Sequence, residues 1–209
     1  MPNTISAYNK IAKEFSYSRV YKWEWITDFI KNINKKNDNF NVLDLGCGNG
    51  RNMELYKNYN KINFFGIDNS INFINICKKK GLNVKEGDMC SLLFENNYFD
   101  NILCIASFHH LDSIDKRITC LQEINRVIKK GGEVLISVWS INQPKKTKRV
   151  FEKYGDIYVP WVNKNKEIIN RYYYIFMINE IKSLIENNGF KINLYKWDCG
   201  NEIFIIEKL

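Results

Sequence analysis

Short apolar runs and helically spaced apolar residues alternate along most of this chain. The runs at residues 42–45, 62–67, 83–86, 102–106 and 133–139 have the length of buried strands. Between them, apolar residues recur every three or four positions at 51–59, 70–80 and 114–128, which predicts helices, and Gly131 and Gly132 are expected to end the last of them. This alternation is typical of a doubly wound α/β fold with a mostly parallel sheet.

Both ends of the chain extend this pattern. Residues 4–15 and 24–33 predict two amphipathic helices before the first strand, and residues 179–187 predict a helix that ends at Gly189. Residues 190–197 and 202–206, joined by a polar turn, predict an antiparallel hairpin. The hairpin would complete a seven-stranded sheet in a single domain that spans residues 1–209.

Residues 140–174 interrupt the alternation. The segment opens with a basic run that ends at Arg149 and continues with aromatic stretches at 156–162 and 171–176. Basic and aromatic side chains together suit contact with a stacked, phosphorylated ligand such as RNA. A solvated loop with its own small aromatic core explains the same composition, so two interpretations of this insertion stay open.

The first strand runs into a glycine-rich turn, in which Gly46, Gly48 and Gly50 follow Asp44. Glycines can adopt positive φ and let a ligand approach the main chain closely. The spacing is neither the G-x-G-x-x-G of dinucleotide-binding folds nor the G-K-[ST] of a P-loop. The turn therefore predicts a ligand site of another kind.

Acidic residues follow three successive strands, at Asp44, Asp68 and Asp88. In a doubly wound sheet the carboxyl ends of the strands border one crevice. Asp68 is placed there to accept hydrogen bonds from two ribose hydroxyls, and Asp88 from an adenine amino group. Any one of them alone could be an ordinary helix N-cap. The three acids together with the glycine turn favour a nucleoside-containing ligand.

Charge and cysteine content bear on partners and compartment. The 209 residues carry a net charge of +8 and a pI near 9.1, which favours a nucleic-acid partner, although a Lys-rich composition alone gives the same charge. No apolar run approaches about 18 residues and no secretory signal is visible, so we expect no membrane partner and a cytoplasmic location, with the nucleus as a second compartment. The six cysteines are scattered without a C-x-x-C pair, and no metal site is predicted.

The D-x-G-x-G-x-G turn resembles the first motif of the seven-stranded methyltransferases that use S-adenosylmethionine. Four further segments resemble one family more specifically: the double histidine within 105–111, W-x-x-x-Q at 139–143, V-P-W at 159–161 and R-Y-Y at 171–173. That family is the eukaryotic tRNA methyltransferases that esterify 5-carboxymethyluridine at the wobble position, including the domain fused to AlkB-like hydroxylases. The resemblance spans nearly the whole chain and implies a class I methyltransferase that methylates this carboxylate of uridine-34.

The resemblance also implies roles for individual residues. Arg19, His109 and His110 would hold the acceptor carboxylate, and adjacent histidines in an extended segment point opposite ways, so we expect one of the two to face it. The helices within residues 1–36 would form a lid over the cofactor. The substrate would be supported by Tyr17, Lys22, Trp139, Arg171 and Tyr172. The cofactor would contact Asp44, Gly46, Cys47, Gly48, Asn49, Gly50, Asp68, Asn69, Asp88, Met89 and Ile105.

Two partners are implied, tRNA and a small zinc-containing activator subunit that forms a heterodimer with the enzyme. The short strand from Asn83 to Glu86 is expected at the sheet edge, where it could accept a strand from another protein. Together with the helix from Ile71 to Lys80 it is the candidate docking surface for the activator. Two alternatives stay open. One is a methyltransferase of a small molecule, because quinone and metalloid methyltransferases share the glycine turn. The other is a catalytically silent paralogue that binds RNA or the activator.

Overall fold

The computed structural model describes residues 4–19, 21–34, 39–145, 147 and 149–209. Its strands are β1 (Phe40–Leu45), β2 (Ile62–Asp68), β3 (Val84–Glu86), β4 (Phe99–Ile105), β5 (Ile128–Trp139), β6 (Gly155–Val162), β7 (Ile168–Ile175), β8 (Phe190–Asp198) and β9 (Asn201–Lys208). Seven of them form one sheet in the order β3-β2-β1-β4-β5-β9-β8. Strands β1 to β5 pair in parallel, whereas β9 is antiparallel to β5 and β8. The predicted seven-stranded sheet with its C-terminal hairpin is confirmed.

The helices follow the predicted positions within a few residues. They are α1 (Thr4–Tyr17), α2 (Glu24–Asn34), α3 (Arg51–Tyr56), α4 (Ile71–Lys79), α5 (Ile114–Val127) and α6 (Ile178–Asn187), with a short 3-10 helix at Phe108–His110. Serine side chains begin two of them: Ser70 accepts a hydrogen bond from the Phe73 N–H, and Ser113 from the Lys116 N–H. In the part of the chain that the structure describes, no helix has the length and hydrophobicity needed to cross a bilayer.

Successive apolar side chains along β1 pack in two different core layers, one on each face of the sheet. Leu43 and Leu45 pack in the layer that contains Ile124 of α5, whereas Val42 packs with Ile30 of α2. Because side chains alternate between the two faces of a strand, the sheet is covered by helices on both faces. This arrangement explains why the strands read as continuous apolar runs.

The insertion at 140–174 contains two strands that the sequence did not predict. Strands β6 and β7 pair in antiparallel fashion as a separate two-stranded sheet. Trp139, Tyr173 and Ile175 form a small buried cluster there, so the insertion has the aromatic core of the second interpretation. Lys146 and Lys148 of the predicted basic run lie outside the described residues, as do residues 1–3, 20, 35 and 36 of the predicted lid.

One predicted helix end is wrong. Gly131 and Gly132 were expected to end the helix at 114–128, but α5 ends at Val127 and both glycines lie inside β5. The pairing of β4 with β5 shifts register beside them, and a Cβ on Gly132 would lie 2.7 Å from the Asp100 carbonyl oxygen. The glycines therefore allow an irregular, close approach of two strands, and not a helix end.

Candidate active site

A cavity of about 660 Å³ opens at the carboxyl ends of the parallel strands. Its walls come from the glycine turn after β1, helix α1 with the segment that follows it, the 3-10 helix after β4, and the insertion. This is the edge of the sheet at which ligands of open α/β folds bind. The volume is within the range of small-molecule sites, about 300–1,000 Å³.

The three glycines of the turn have different surroundings. All have positive φ, which is +75° at Gly46, +53° at Gly48 and +72° at Gly50. A Cβ on Gly46 would lie 2.4 Å from the Cβ of Ser107, and one on Gly50 would lie 2.4 Å from Leu82. A Cβ on Gly48 would meet nothing within 4 Å, and this residue lines the cavity. The turn therefore offers bare main chain to a ligand at Gly48.

Carboxylates gather at one end of the cavity. Asp68 accepts hydrogen bonds from the Gly48 N–H (2.8 Å) and the Ser70 N–H (2.9 Å), yet burial raises its pKa to about 6. Burial also raises the pKa of Asp44 to about 7, although Asn52 donates to both of its oxygens at 3.3 and 3.4 Å. Burial therefore costs both charges more than these hydrogen bonds recover, and hydrogen-bond donors from a ligand would stabilise Asp68, which lines the cavity.

Arg51 lines the cavity near Asp44. Three further cations form what we call the arginine end: Arg19 and Arg149 line the cavity near Tyr173, and Arg171 lies buried behind the wall. Burial, followed by the charge of Arg171 among other groups, lowers the pKa of both Arg19 and Arg149. None of the three forms an ion pair with any acid among the described residues. Positive charges without carboxylate partners favour an anionic ligand at this end.

His109 presents an unpaired N–H at the arginine end. Its ring is fully buried, and burial, His110, Arg171 and Arg149 lower its pKa well below the usual value, so the ring is neutral. The backbone N–H of Trp139 donates to His109 Nδ1 (3.0 Å), which leaves the hydrogen of the neutral ring on Nε2. Among the described residues, Nε2 has no hydrogen-bond partner. His109 therefore offers a donor to a ligand in the cavity that it lines.

His110 belongs to a hydrogen-bond chain whose direction is fixed. The carbonyl of Tyr172 can only accept, so His110 Nδ1 donates to it (2.8 Å) and Nε2 of the neutral ring accepts from the Tyr8 hydroxyl (2.9 Å). The Tyr8 oxygen accepts from the Tyr173 hydroxyl (3.1 Å), which accepts from Arg171 (2.8 Å). Burial lowers the pKa of His110 to about 4, in agreement with a neutral ring.

Helix α1 covers the cavity and forms hydrogen bonds at both of its ends. Asn9 Oδ1 accepts from the Ser70 hydroxyl (2.7 Å), next to Asp68, while Tyr8 reaches His110 at the other end. Asn49 of the glycine turn donates to the backbone carbonyls of Ser16 (3.3 Å) and Arg19 (3.2 Å). The end of α1 and the residues after it are thus attached to the ligand-binding turn.

Comparisons with known proteins identify the family. A model of a methyltransferase domain matches residues 43–136. The tRNA (carboxymethyluridine(34)-5-O)-methyltransferase of Schizosaccharomyces pombe is 31% identical over 96% of this chain and 94% of that protein. The chain belongs to this tRNA methyltransferase family. The Xenopus tropicalis relative of the same name, alkbh8, is 28% identical over 97% of this chain, which spans 40% of that protein.

A solved complex between the Haloferax volcanii Trm112 methyltransferase activator and a methyltransferase shares the fold. Its TM-score is 0.67 at 15% identity, with 100% of this chain and 99% of that chain covered. Family and fold together confirm the predicted class I methyltransferase and its cofactor, S-adenosylmethionine.

The acid end of this family member fits that cofactor. Gly48 has room for a ligand against its main chain, and Asp68 keeps acceptor capacity for ribose hydroxyls after its two backbone hydrogen bonds. The predicted cofactor residues that line the cavity are Gly46, Cys47, Gly48, Asn49, Asp68, Asn69, Asp88, Met89 and Ile105. Asp44 and Gly50 do not line it, because Asp44 is held by Asn52 and Gly50 packs on Leu82. Their direct contact with the cofactor stays a prediction.

The predicted substrate residues are divided between the cavity and its surroundings. Trp139 lines the cavity. Tyr17 and Lys22 are exposed and lie outside its lining. Arg171 and Tyr172 are 3% and 4% exposed and do not line it either, so their role in supporting the substrate stays a prediction. Arg171 supports Tyr173, whereas Tyr172 lies on the other face of β7 and donates to Asp156.

The extended segment that was expected at the two histidines is wrong, because both residues lie in a 3-10 helix. That one of them faces the substrate stays a prediction. Their rings are in contact, with centroids 4.6 Å apart, and both line the cavity. They differ in their hydrogen bonds, since the ring nitrogens of His110 are both occupied and Nε2 of His109 is not.

Several cavity residues were not predicted from the sequence as site residues, among them Tyr8, Gln143, Arg149 and Tyr173. Tyr8 fitted the apolar stripe of a helix, and Arg149 was one of several cations in a basic run. The W-x-x-x-Q segment could have indicated Gln143, because a polar residue at a fixed distance from a buried aromatic residue can position a neighbouring side chain. The described residues contain no group of three metal-ligating side chains.

Proposed function

We propose that this chain transfers a methyl group from S-adenosylmethionine to the carboxylate of 5-carboxymethyluridine at the wobble position of tRNA, which gives 5-methoxycarbonylmethyluridine. The observation that carries the proposal is the unpaired, buried Nε2–H of His109, in a cavity that Arg19 and the predicted cofactor-binding acids Asp68 and Asp88 also line. These groups suit an anionic acceptor. The names of the Schizosaccharomyces pombe and Xenopus tropicalis relatives support the same substrate.

The reaction requires positioning and no general base. A carboxylic acid with a pKa near 4 is already ionised at neutral pH. When bound, S-adenosylmethionine would supply a methyl group on a sulfonium. A carboxylate oxygen would form the new O–C bond as the C–S bond breaks, and the electron pair of that bond would stay on sulfur. The protein has to desolvate the carboxylate and orient it, which suits hydrogen-bond donors such as His109 and Arg19. A neutral histidine can fill this role without exchanging a proton.

The partners that we propose are tRNA and an activator subunit. Support for tRNA comes from the net charge of +8 and from the exposed Tyr17 and Lys22 near the lid segment. Support for the activator comes from the edge strand β3, beside which Leu93 is 82% exposed, and from the activator in the Haloferax volcanii complex. An edge strand next to an exposed apolar residue suits strand addition by a partner. A cytoplasmic location stays a prediction.

Methyl transfer to tRNA that lacks this modification tests the proposal. Labelled S-adenosylmethionine is incubated with the chain, co-expressed with an activator, and bulk tRNA, and the nucleosides of the product are analysed. Labelled 5-methoxycarbonylmethyluridine is the expected product. Binding of S-adenosylmethionine without label in tRNA would overturn the substrate assignment and favour a small-molecule methyltransferase or a silent paralogue.

Co-expression itself tests the heterodimer. We expect the chain alone to be less soluble or less active than the co-expressed pair, because β3 and Leu93 would otherwise face solvent. Substitution of Leu93 with aspartate is expected to weaken co-purification while leaving cofactor binding intact. Equal solubility and activity with and without the activator would contradict the proposed partner.

A further inference from the structure

Arg149 is held in one orientation by two neighbours. Its guanidinium lies 3.9 Å from the centroid of the Trp139 ring, and Nη1 donates to Gln143 Oε1 (3.2 Å). The Gln143 amide nitrogen in turn donates to the backbone carbonyls of Ser140 (2.7 Å) and Gly200 (2.9 Å), which turns Oε1 toward Arg149. Two backbone carbonyls thus anchor the Gln143 side chain, and its Oε1 positions Arg149 directly.

Gly200 makes room for this contact. Its φ is +81°, and a Cβ there would lie 2.8 Å from Gln143 Oε1 and 2.9 Å from Pro144. The turn between β8 and β9 is thus built to receive the glutamine side chain. Because Trp139 also donates its N–H to His109, the same residue fixes the orientation of both Arg149 and His109.

The arginine end of the cavity presents donors. Arg19 and Arg149 carry guanidinium N–H groups, and His109 adds its unpaired Nε2–H. The Tyr173 hydroxyl is already engaged, since it accepts from Arg171 and donates to Tyr8. The one bond that Arg149 makes to Gln143 leaves other donors of its five-donor fork for a ligand.

We propose that Arg149, Arg19 and His109 together bind the acceptor carboxylate, and we call these three residues the carboxylate clamp. Gln143 is the positioning residue of Arg149. The clamp selects a carboxylate over a carboxamide at C5 of the uridine. This inference rests on the proposed function. A carboxylate has only acceptors and matches a set of donors, whereas the NH₂ of a carboxamide would face N–H groups and leave polar atoms unpaired. The clamp thus discriminates by chemistry between two acceptor groups of nearly equal size.

The clamp should act on binding more than on the chemical step. The carboxylate loses its negative charge as one oxygen takes up the methyl group. A guanidinium that pairs with it therefore stabilises the bound substrate more than the transition state. Removal of Arg149 is expected to raise KM for tRNA with little loss of kcat, a signature that general unfolding would not give.

The test uses two anticodon stem-loop RNAs that differ only at C5 of the wobble uridine, one with carboxymethyl and one with carbamoylmethyl. Dissociation constants are measured with S-adenosylhomocysteine present, for the wild type and for Arg149→Met, Arg149→Lys and Gln143→Leu. Lys153→Met is the matched control, because Lys153 is an exposed cation of the same insertion outside the cavity lining. Thermal melts check that each variant is folded.

We expect the wild type to prefer the carboxylate RNA and Arg149→Met to lose about 10- to 100-fold of that preference, as for a hydrogen bond to a charged group. Arg149→Lys keeps the charge but not the planar fork, so an intermediate loss is expected. Gln143→Leu should lose part of the preference and add little to Arg149→Met in the double variant. Lys153→Met should weaken both RNAs equally.

Two outcomes would overturn the clamp. One is an unchanged preference in Arg149→Met, and the other is an equal loss in Lys153→Met, which would reduce Arg149 to a general contribution to positive charge. Failure of the proposed function looks different, because the wild type itself would then transfer no methyl group to tRNA and show no preference between the two RNAs.

Discussion

Alanine at Gly48 should separate ligand binding from folding. Gly48, Gly46 and Gly131 all have positive φ, so an alanine at each carries the strain of a left-handed conformation, about 1–2 kcal/mol. For a chain of this size that lowers Tm by about 2–8 °C. Neither Gly48 nor Gly131 has an atom within 4 Å of the added Cβ, so Gly48→Ala and Gly131→Ala should be similarly destabilised.

Gly46→Ala should be more severe than either. Its Cβ would lie 2.4 Å from Ser107 Cβ, which is not the end of a flexible side chain. Overpacking of this kind adds about 1–3 kcal/mol to the strain. We therefore expect a total loss of about 2–5 kcal/mol, which a thermal or denaturant melt of the ligand-free protein would measure.

The ligand distinguishes Gly48 from Gly131. A ligand at 100 times its dissociation constant stabilises the folded state by about 2.7 kcal/mol. S-adenosylhomocysteine at that concentration should raise the Tm of the wild type and of Gly131→Ala alike, because Gly131 lies at the far end of β5 from the cavity. Gly48→Ala should keep less than about 1 kcal/mol of this stabilisation. A full ligand-induced shift in Gly48→Ala would refute the close approach of the cofactor to the turn.

Three further perturbations test other parts of the site. Because burial raises the pKa of Asp68 to about 6 and that of nearby Asp44 to about 7, both carboxylate forms are lost as pH falls through this range. Calorimetry should show S-adenosylhomocysteine affinity falling as pH drops from 8 to 5, with a smaller fall in Asp68→Asn than in the wild type. His109→Phe should lower kcat/KM about 10- to 100-fold, and unchanged transfer kinetics would exclude His109 as a donor. Because the substitution leaves the Trp139 N–H unpaired, it should also lower the free energy of unfolding by about 1–3 kcal/mol. Tyr8→Phe should lower the free energy of unfolding, measured in a denaturant melt, by about 1–3 kcal/mol. Tyr17→Phe removes an exposed hydroxyl from the same helix and should change it by no more than about 0.5 kcal/mol, so equal losses would contradict the hydrogen-bond chain.

Features with a local cause were predictable from the sequence. The glycine turn and the carboxylates of Asp68 and Asp88 lie at strand ends because topology puts them there, and the parallel pairing of β1 to β5 follows from their alternation with helices. The family resemblance added Arg19 and the histidine pair, and the structure brings all three to the cavity.

Features that arise from packing between distant segments were not predictable. Gln143 meets Arg149 only because the turn at Gly200 holds its amide, 57 residues further along the chain. The histidine orientations depend on a 3-10 turn whose sequence has no clear period. Gly131 and Gly132 were mistaken for a helix end because their role depends on β4, which is remote in sequence. Strand β4 packs so close to them that a side chain at Gly132 would clash with it.

Helix α1 has a thermodynamic consequence for how the two ligands bind. One residue of it, Asn9, contacts Ser70 beside the cofactor acids, and its neighbour Tyr8 contacts His110 beside the donor groups. A ligand that stabilises α1 in its docked position from one side lowers the free energy that the second ligand needs to order the same helix. Such coupling must be equal in both directions, so S-adenosylmethionine should tighten tRNA binding by the same factor by which tRNA tightens S-adenosylmethionine binding.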